Sequence, residues 1–115
     1  MNARTPVILV HGGAGVGMMT AAQASCLREA LAQGYAELRR GAPAIRGVET
    51  AIRVLEGSGL FNAGVGSVLQ LDGGRRMDAS LMDGRDLRAG AVAAVEGIRY
   101  PITAARHVMD ETDHV

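Results

Sequence analysis

The stretch that decides the fold reads Leu60-Phe61-Asn62-Ala63-Gly64-Val65-Gly66-Ser67-Val68-Leu69, and it continues after a turn as Met77-Asp78-Ala79-Ser80-Leu81-Met82-Asp83-Gly84. It places one amide, Asn62, directly after two apolar residues, where a plain core strand would carry none. A buried amide must be hydrogen-bonded. Two interpretations of Asn62 therefore stay open: it clamps the neighbouring backbone of a loop, or it serves an active site.

A second glycine-rich stretch, His11-Gly12-Gly13-Ala14-Gly15, follows a short apolar run over residues 6–10. This pattern predicts a buried strand that leads into a loop. The loop could be a tight structural turn, a phosphate-binding loop, or a loop that lets backbone approach a reacting group. The glycine spacing matches neither a P-loop nor a GxGxxG motif, which disfavours phosphate. We expect His11 to fix the loop by hydrogen bonds rather than to act as a base.

Periodicity along the chain predicts an α+β protein with helices packed on a mainly antiparallel sheet. Gly41 and Gly57 are the predicted ends of the first two helices, which are expected to form an antiparallel pair. Asp72-Gly73-Gly74 and Asp83-Gly84 predict turns between strands. In chain order, the predicted elements are a strand over 6–10, helices over 20–40 and 43–57, strands over 67–71, 75–82 and 88–95, and a helix over 101–111.

Composition narrows the class of protein. The 115 residues fit one domain, and 12 basic against 12 acidic residues give no reason to expect nucleic acid or a membrane as partner. Sixteen glycines and only three aromatic residues predict an aliphatic core approached closely by backbone. Cys26 is expected to be a buried small hydrophobic residue. Without a long apolar segment, the expected location is the cytoplasm.

Conventional catalytic motifs are missing from this sequence. No serine lies in a Gly-x-Ser-x-Gly pattern, and the three histidines have no cysteine partners and no helical pair that would hold zinc. Asp78 and Asp83 are more typical of turn and strand-end residues than of a paired-carboxylate site. No residue of the chain is therefore predicted to carry out the chemistry.

The ordered motifs resemble the start of the plant-type asparaginase and isoaspartyl dipeptidase family of N-terminal-nucleophile hydrolases. The resemblance covers nearly all 115 residues but only about the first third of a family member. It implies an αββα sandwich, of which this chain would form a part, in a precursor that cuts itself into α and β subunits. The matching segments are His11-Gly12-Gly13-Ala14-Gly15, Leu60-Phe61-Asn62-Ala63-Gly64, Met77-Asp78-Ala79-Ser80, Met82-Asp83-Gly84, Gly90-Ala91-Val92 and the helix from Pro101 to Met109.

The resemblance implies hydrolysis of L-asparagine or of β-aspartyl (isoaspartyl) dipeptides by the N-terminal threonine of the β subunit. None of the five threonines here has the expected context, which is a preceding glycine and a following Val-Gly. The chain is therefore expected to be a single incomplete domain over residues 1–115, which lacks the remainder of the α subunit and the whole β subunit. It is expected to be inactive without the β segment that bears the nucleophile. The alternative is a stand-alone, non-catalytic binding or assembly module with the same half-fold.

The resemblance also implies roles for particular residues. Gly12 and Gly13 would shape the backbone near the cleavage site, and Asn62 would hydrogen-bond beside the nucleophile. No organic cofactor is expected, and the expected partners are the β segment, a small-molecule substrate and further αβ units in a homo-oligomer. A structural sodium ion would be bound by the main-chain carbonyls of Leu55, Glu56, Ser58, Phe61, Ala63 and Val65. The alternative for that turn is an ordinary helix cap ending at Gly57.

Overall fold

The computed structural model describes residues 5–115 and has three helices and one two-stranded antiparallel sheet, which confirms the α+β class. Within these residues, no helix is long and apolar enough to cross a bilayer. The elements, in chain order, are α1 (Ala21–Arg39), α2 (Ala44–Ser58), a 3-10 turn (Gly64–Gly66), β1 (Met77–Met82), β2 (Ala89–Val95) and α3 (Pro101–Glu111).

The helices begin and end close to where the sequence predicts. α1 starts with a capping box: the Thr20 hydroxyl accepts a hydrogen bond from the Gln23 amide, and the Gln23 side chain accepts one from the Thr20 amide. The predicted end of α2 at Gly57 is wrong. The helix continues to Ser58 because Gly59, with φ of 73°, adopts the left-handed conformation that ends it.

The sheet is a hairpin in which Ser80 pairs with Ala91 and Leu81 with Gly90. Near its open end the register shifts, so that Ala93 and Ala94 lie opposite Asp78. This is a β-bulge. The amide of Ala94, a residue with φ of 53°, donates to Asp78 Oδ1 at 2.8 Å, so the aspartate holds the bulge in place.

The turn between β1 and β2 is built on a buried carboxylate, Asp83. The Arg85 guanidinium donates to Asp83 Oδ2 at 2.6 Å, and the Arg85 amide donates to Asp83 Oδ1 at 3.0 Å. These two donors lower the pKa of Asp83 to about 2, with the side-chain bond having the larger effect. The predicted turn at Asp72-Gly73-Gly74 is also present, and Asp72 Oδ1 accepts from the Gly74 amide at 2.9 Å.

Two of the predicted strands do not form. Residues 6–10 and 67–71 are not strands, so the expected meander is reduced to one hairpin. The 6–10 segment keeps the strand period: Ile8 is half-buried, whereas Val7 and Leu9 are 87% and 90% exposed. Among residues 5–115, no backbone hydrogen bond joins this segment to another strand. A strand exists only through such pairing, which is why the pattern is present and the strand is not.

The core lies between α3, α2 and one face of the sheet. α3 lies directly on β2 at Gly90, where an added Cβ would collide with the carbonyl oxygen of Ala105. The opposite face of the sheet carries Met82, which is 58% exposed. Cys26 is half-buried rather than buried. The core residues are Ile45, Leu81, Ile102, Ala105 and Met109, with Ile52, Ala79 and Val92 packed against them.

The molecule is flat, with principal extents of 55 × 39 × 19 Å. Its accessible surface is 7817 Å², whereas a compact monomer of 11.9 kDa is expected to expose about 6,000 Å². The radius of gyration of 15.1 Å likewise exceeds the roughly 13 Å expected for a chain of this length. The chain therefore exposes more surface than a self-contained domain of its size.

Candidate functional site

The segment after α2 folds back on itself and is here named the carbonyl loop (residues 59–67). A Cβ added at Gly64 would collide with the main-chain oxygen of Glu56, and one added at Gly66 would collide with the main-chain oxygen of Phe61. Inside the loop, the Ala63 amide donates to the Phe61 oxygen at 2.8 Å, and the Gly66 amide donates to the Ala63 oxygen at 3.1 Å. Glycine at these two positions lets the backbone segments touch, with a main-chain oxygen at each contact.

Asn62 lies within the carbonyl loop and its side chain closes it. Its Oδ1 accepts a hydrogen bond from the Val68 amide at 2.9 Å. Asn62 is exposed, so the buried setting that its apolar neighbours predict is wrong for the described residues. The clamp occupies the oxygen of the amide, and the Nδ2 group, with no hydrogen bond to the described residues, is free to donate elsewhere.

The glycine loop lies beside the carbonyl loop. Gly12 packs against the ring of Phe61, and a Cβ added there would come within 2.7 Å of Phe61 Cε1. The amide of Gly13, which has φ of 105°, donates to His11 Nδ1 at 3.2 Å, which confirms that His11 fixes the loop by a hydrogen bond. Together the two loops line an open depression of about 960 Å³.

Gln23 joins this depression to the start of α1. Besides closing the capping box, its Nε2 donates to the Leu60 oxygen at 3.1 Å, two residues before Asn62. Sequence reasoning missed this residue, although Thr20-x-x-Gln23 is a capping-box pattern that places the side chain at the helix entrance. The pattern does not reveal the partner 37 residues away.

The sequence singled out Glu56 only for its main-chain carbonyl, and the role of its side chain is the second feature that the sequence did not reveal. Its side chain is 4% exposed; Oε1 accepts from the Ile102 amide at 3.1 Å, and Oε2 has no hydrogen-bond partner among the described residues. Burial raises the pKa of Glu56 to about 7, although the bond from Ile102 and the charge of Arg53 both lower it. The position of Glu56 in the sequence could have revealed its burial. Residues 45, 49, 52 and 56 share one helical face, so a glutamate at 56 falls on the apolar stripe.

The structure brings Gly12, Gly13 and Asn62 to the wall of one depression, together with three of the six predicted carbonyl residues, Leu55, Phe61 and Ala63. The other three, Glu56, Ser58 and Val65, do not line it. Among residues 5–115, no group of three or more His, Cys, Asp or Glu side chains is arranged to hold a metal ion.

The geometry defines the protein as an α+β chain in which a glycine loop packs against a loop that carries an asparagine. The sequence model of the family described as Asparaginase matches residues 4–115. The chain therefore belongs to the asparaginase family.

Curated relatives agree with this assignment. The plant-type L-asparaginase of Pyrococcus abyssi is 50% identical over 111 residues, which are 94% of this chain and 36% of that protein. The isoaspartyl peptidase/L-asparaginase of Xenopus laevis is 47% identical over 112 residues, 96% of this chain and 36% of that protein. That of Mus musculus is 47% identical over 112 residues, 94% of this chain and 34% of that protein. The chain spans about a third of the length of these relatives.

Proposed function

We propose that this chain is the N-terminal segment of a threonine-nucleophile amidohydrolase that acts on L-asparagine, on β-aspartyl dipeptides, or on both. The observation that carries the proposal is the close match, over nearly the whole chain, to relatives named L-asparaginase and isoaspartyl peptidase. The nucleophile belongs to a β segment of the same precursor, and the assembled αβ units form a homo-oligomer. The chain by itself is inactive.

The exposed apolar surface of the chain supports the proposal that a further segment packs against it. Val7 and Leu9 are almost fully exposed, and the sheet has one uncovered face. Exposed apolar strand edges favour pairing with further strands. A β segment that completed the sheet and covered that face would form an αββα sandwich, and it would bury the surface that exceeds the expectation for a compact monomer. A stand-alone module gains nothing from such exposure.

In the assembled enzyme this chain supports the nucleophile without attacking the substrate. The glycine loop lets backbone come near the cleavage site, because Gly12 and Gly13 carry no side chains. Asn62 keeps its Oδ1 on the Val68 amide and offers its Nδ2 group beside the threonine. A donor fixed in this way costs little reorganisation when charge develops on a neighbouring oxygen.

A structural sodium ion fits the carbonyl loop. The main-chain oxygens of Glu56 and Phe61 lie against Gly64 and Gly66, in space that a Cβ would fill. Hard cations prefer oxygen ligands, and a carbonyl that accepts one hydrogen bond, as that of Leu55 does from the Ser58 hydroxyl, keeps a second lone pair. The ion would stiffen the loop. We expect a higher Tm in sodium chloride than in choline chloride at equal ionic strength, and equal values would contradict the site.

The proposed inactivity of the chain alone has a direct test. The purified chain is incubated separately with L-asparagine and with the dipeptide β-Asp-Leu, and free aspartate is assayed. We expect no release above a blank without protein. Turnover by the chain alone would contradict the proposal that the β segment supplies the nucleophile, because it would require a nucleophile among these 115 residues.

A further inference from the structure

Helix α3 begins without a cap from its own sequence. Tyr100, the residue before it, makes no side-chain capping bond, and Pro101 occupies the first turn. The Thr103 amide finds the Tyr100 oxygen at 3.0 Å, but the Ile102 amide finds its acceptor 46 residues away, in Oε1 of Glu56 at 3.1 Å. The side-chain carboxylate of Glu56, in α2, therefore caps the N-terminus of α3.

The backbone of the same residue supports the carbonyl loop. Gly64 lies against the main-chain oxygen of Glu56, and a Cβ added at Gly64 would come within 2.6 Å of Glu56 Cβ. Glu56 thus contacts α3 through its carboxyl and the loop through its main chain and Cβ. A change in the position of this residue has to move the loop as well.

The unpartnered oxygen makes Glu56 costly to keep. A buried polar atom without a partner disfavours folding, and an apolar side chain of similar length would avoid that cost. What an apolar side chain lacks is an acceptor for the Ile102 amide. The bond from the Ile102 amide therefore gives the Glu56 carboxyl a structural role that an apolar side chain could not take.

We propose that Glu56 is a positioning residue, whose carboxyl anchors the last turn of α2 to α3 and so holds the carbonyl loop, and with it Asn62, in place. The inference rests on the proposed function only for the importance that it gives to Asn62. According to this proposal, the Glu56 side chain alone links the position of α3 to the position of the candidate site.

Glu49 provides a matched control. It is also buried, at 6% exposure, and also joins α2 to α3, because its Oε1 accepts from the Thr103 hydroxyl at 3.1 Å. It lies seven residues before Glu56, and its side-chain hydrogen bonds go to Thr103 and Arg106 rather than to the carbonyl loop. Loss of Glu49 should weaken the α2 to α3 contact in general, whereas loss of Glu56 should also release the loop.

The test compares amide hydrogen exchange in the wild-type chain and in the variants Glu56→Met, Glu56→Gln and Glu49→Met. In Glu56→Met, which keeps the length and removes the acceptor, the Gly66 and Val68 amides should exchange at least about tenfold faster relative to the Ala30 amide in α1. In Glu56→Gln, whose oxygen still accepts from Ile102, they should stay within about threefold of wild type. Glu49→Met should leave the loop amides unchanged relative to Ala30.

Unchanged loop exchange in Glu56→Met would overturn the proposal, as would equal acceleration of the loop in Glu49→Met. Should Glu56→Met fail to fold, Glu56→Asp decides: it keeps a carboxyl but draws it back from the Ile102 amide, and the same loop-specific acceleration is expected. None of these measurements needs a nucleophile or a substrate. A negative result here would leave the proposed reaction standing, and an inactive reconstituted enzyme would leave this inference standing.

Discussion

Asn62 is the residue at which clamp and catalytic support can be separated, because the two functions use different atoms of one amide. Asn62→Asp keeps an oxygen for the Val68 amide and loses the Nδ2 donor, whereas Asn62→Ala loses both. Asn62→Ala should lower the free energy of unfolding by about 0.5–1.5 kcal/mol, and Asn62→Asp should change it little. Urea unfolding of the chain measures both.

In an enzyme assembled with the β segment, both Asn62 variants should lose activity, by about 10²-fold or more if the Nδ2 group stabilises developing charge. Full activity of Asn62→Asp would mean that Asn62 is a loop clamp only. The two interpretations that the sequence leaves open would then be resolved in favour of the structural one.

Asp83 gives the turn of the hairpin a pH dependence. Because the pKa of this carboxyl is about 2 in the folded chain and 3.8 as its ordinary value, its contribution to stability is present above pH 3.8 and is lost as the pH falls toward 2. Asp83→Asn should remove that contribution. The difference in unfolding free energy between wild type and variant should therefore be large at pH 5 and small at pH 2, and the same difference at both pH values would contradict the pairing with Arg85.

At this scale the sequence locates the candidate site but not its supports. Gly12, Gly13 and Asn62 are singled out by their unusual settings, and they do line one depression. Gln23 and Glu56 act through partners 37 and 46 residues away. Their importance depends on tertiary contacts, which local pattern does not encode. The catalytic roles of the first three residues remain predictions.

Among the elements, the three helices and the two strands of the hairpin were predictable, whereas the strands expected over residues 6–10 and 67–71 do not form. A helix satisfies its backbone within one segment, so α3 is found where Pro101 and the apolar period place it. A strand needs a neighbour. Residues 6–10 and 67–71 carry strand-like sequence, but among the described residues only β1 and β2 form a pair. The bulge opposite Asp78 and the extension of α2 to Ser58 also arise from tertiary packing and backbone geometry.

The Gln23 side chain bonds both to the start of α1 and to the carbonyl loop, and one substitution can remove the second bond while keeping the first. Gln23→Glu retains the oxygen that completes the capping box, and an acidic residue is favoured in the first turn of a helix. It loses the Nε2 donor to the Leu60 oxygen. We expect α1 to stay intact, while the ¹⁵N order parameters of Phe61 and Asn62 fall.

Thr20→Ala is the matched control for Gln23→Glu. It removes the hydroxyl of the capping box, should cost about 1 kcal/mol of stability, and leaves the donor to Leu60 in place. If the two variants change the dynamics of the loop equally, Gln23 acts through the helix end and not through its own bond to Leu60.

At the scale of the whole molecule, both the length of the chain and its exposed surface support the proposal that a further segment packs against it. The chain spans about a third of its curated relatives, and it exposes roughly 30% more surface than a compact protein of its mass. An uncovered sheet face and two unpaired strand-like segments account for where that surface lies. The proposed function therefore requires assembly, in which a second segment would supply the threonine.

The most direct test of this central claim is reconstitution. The chain is mixed with the complementary segment of a relative, such as the protein of Pyrococcus abyssi, and aspartate release from L-asparagine and β-Asp-Leu is measured. The two corresponding segments of the relative, mixed without this chain, serve as the positive control. A complementary segment in which the threonine at the start of the β subunit is replaced by alanine serves as the negative control. We predict turnover only in the mixture with the intact threonine. Turnover by the chain alone, or an inactive mixture beside an active positive control, would contradict the account.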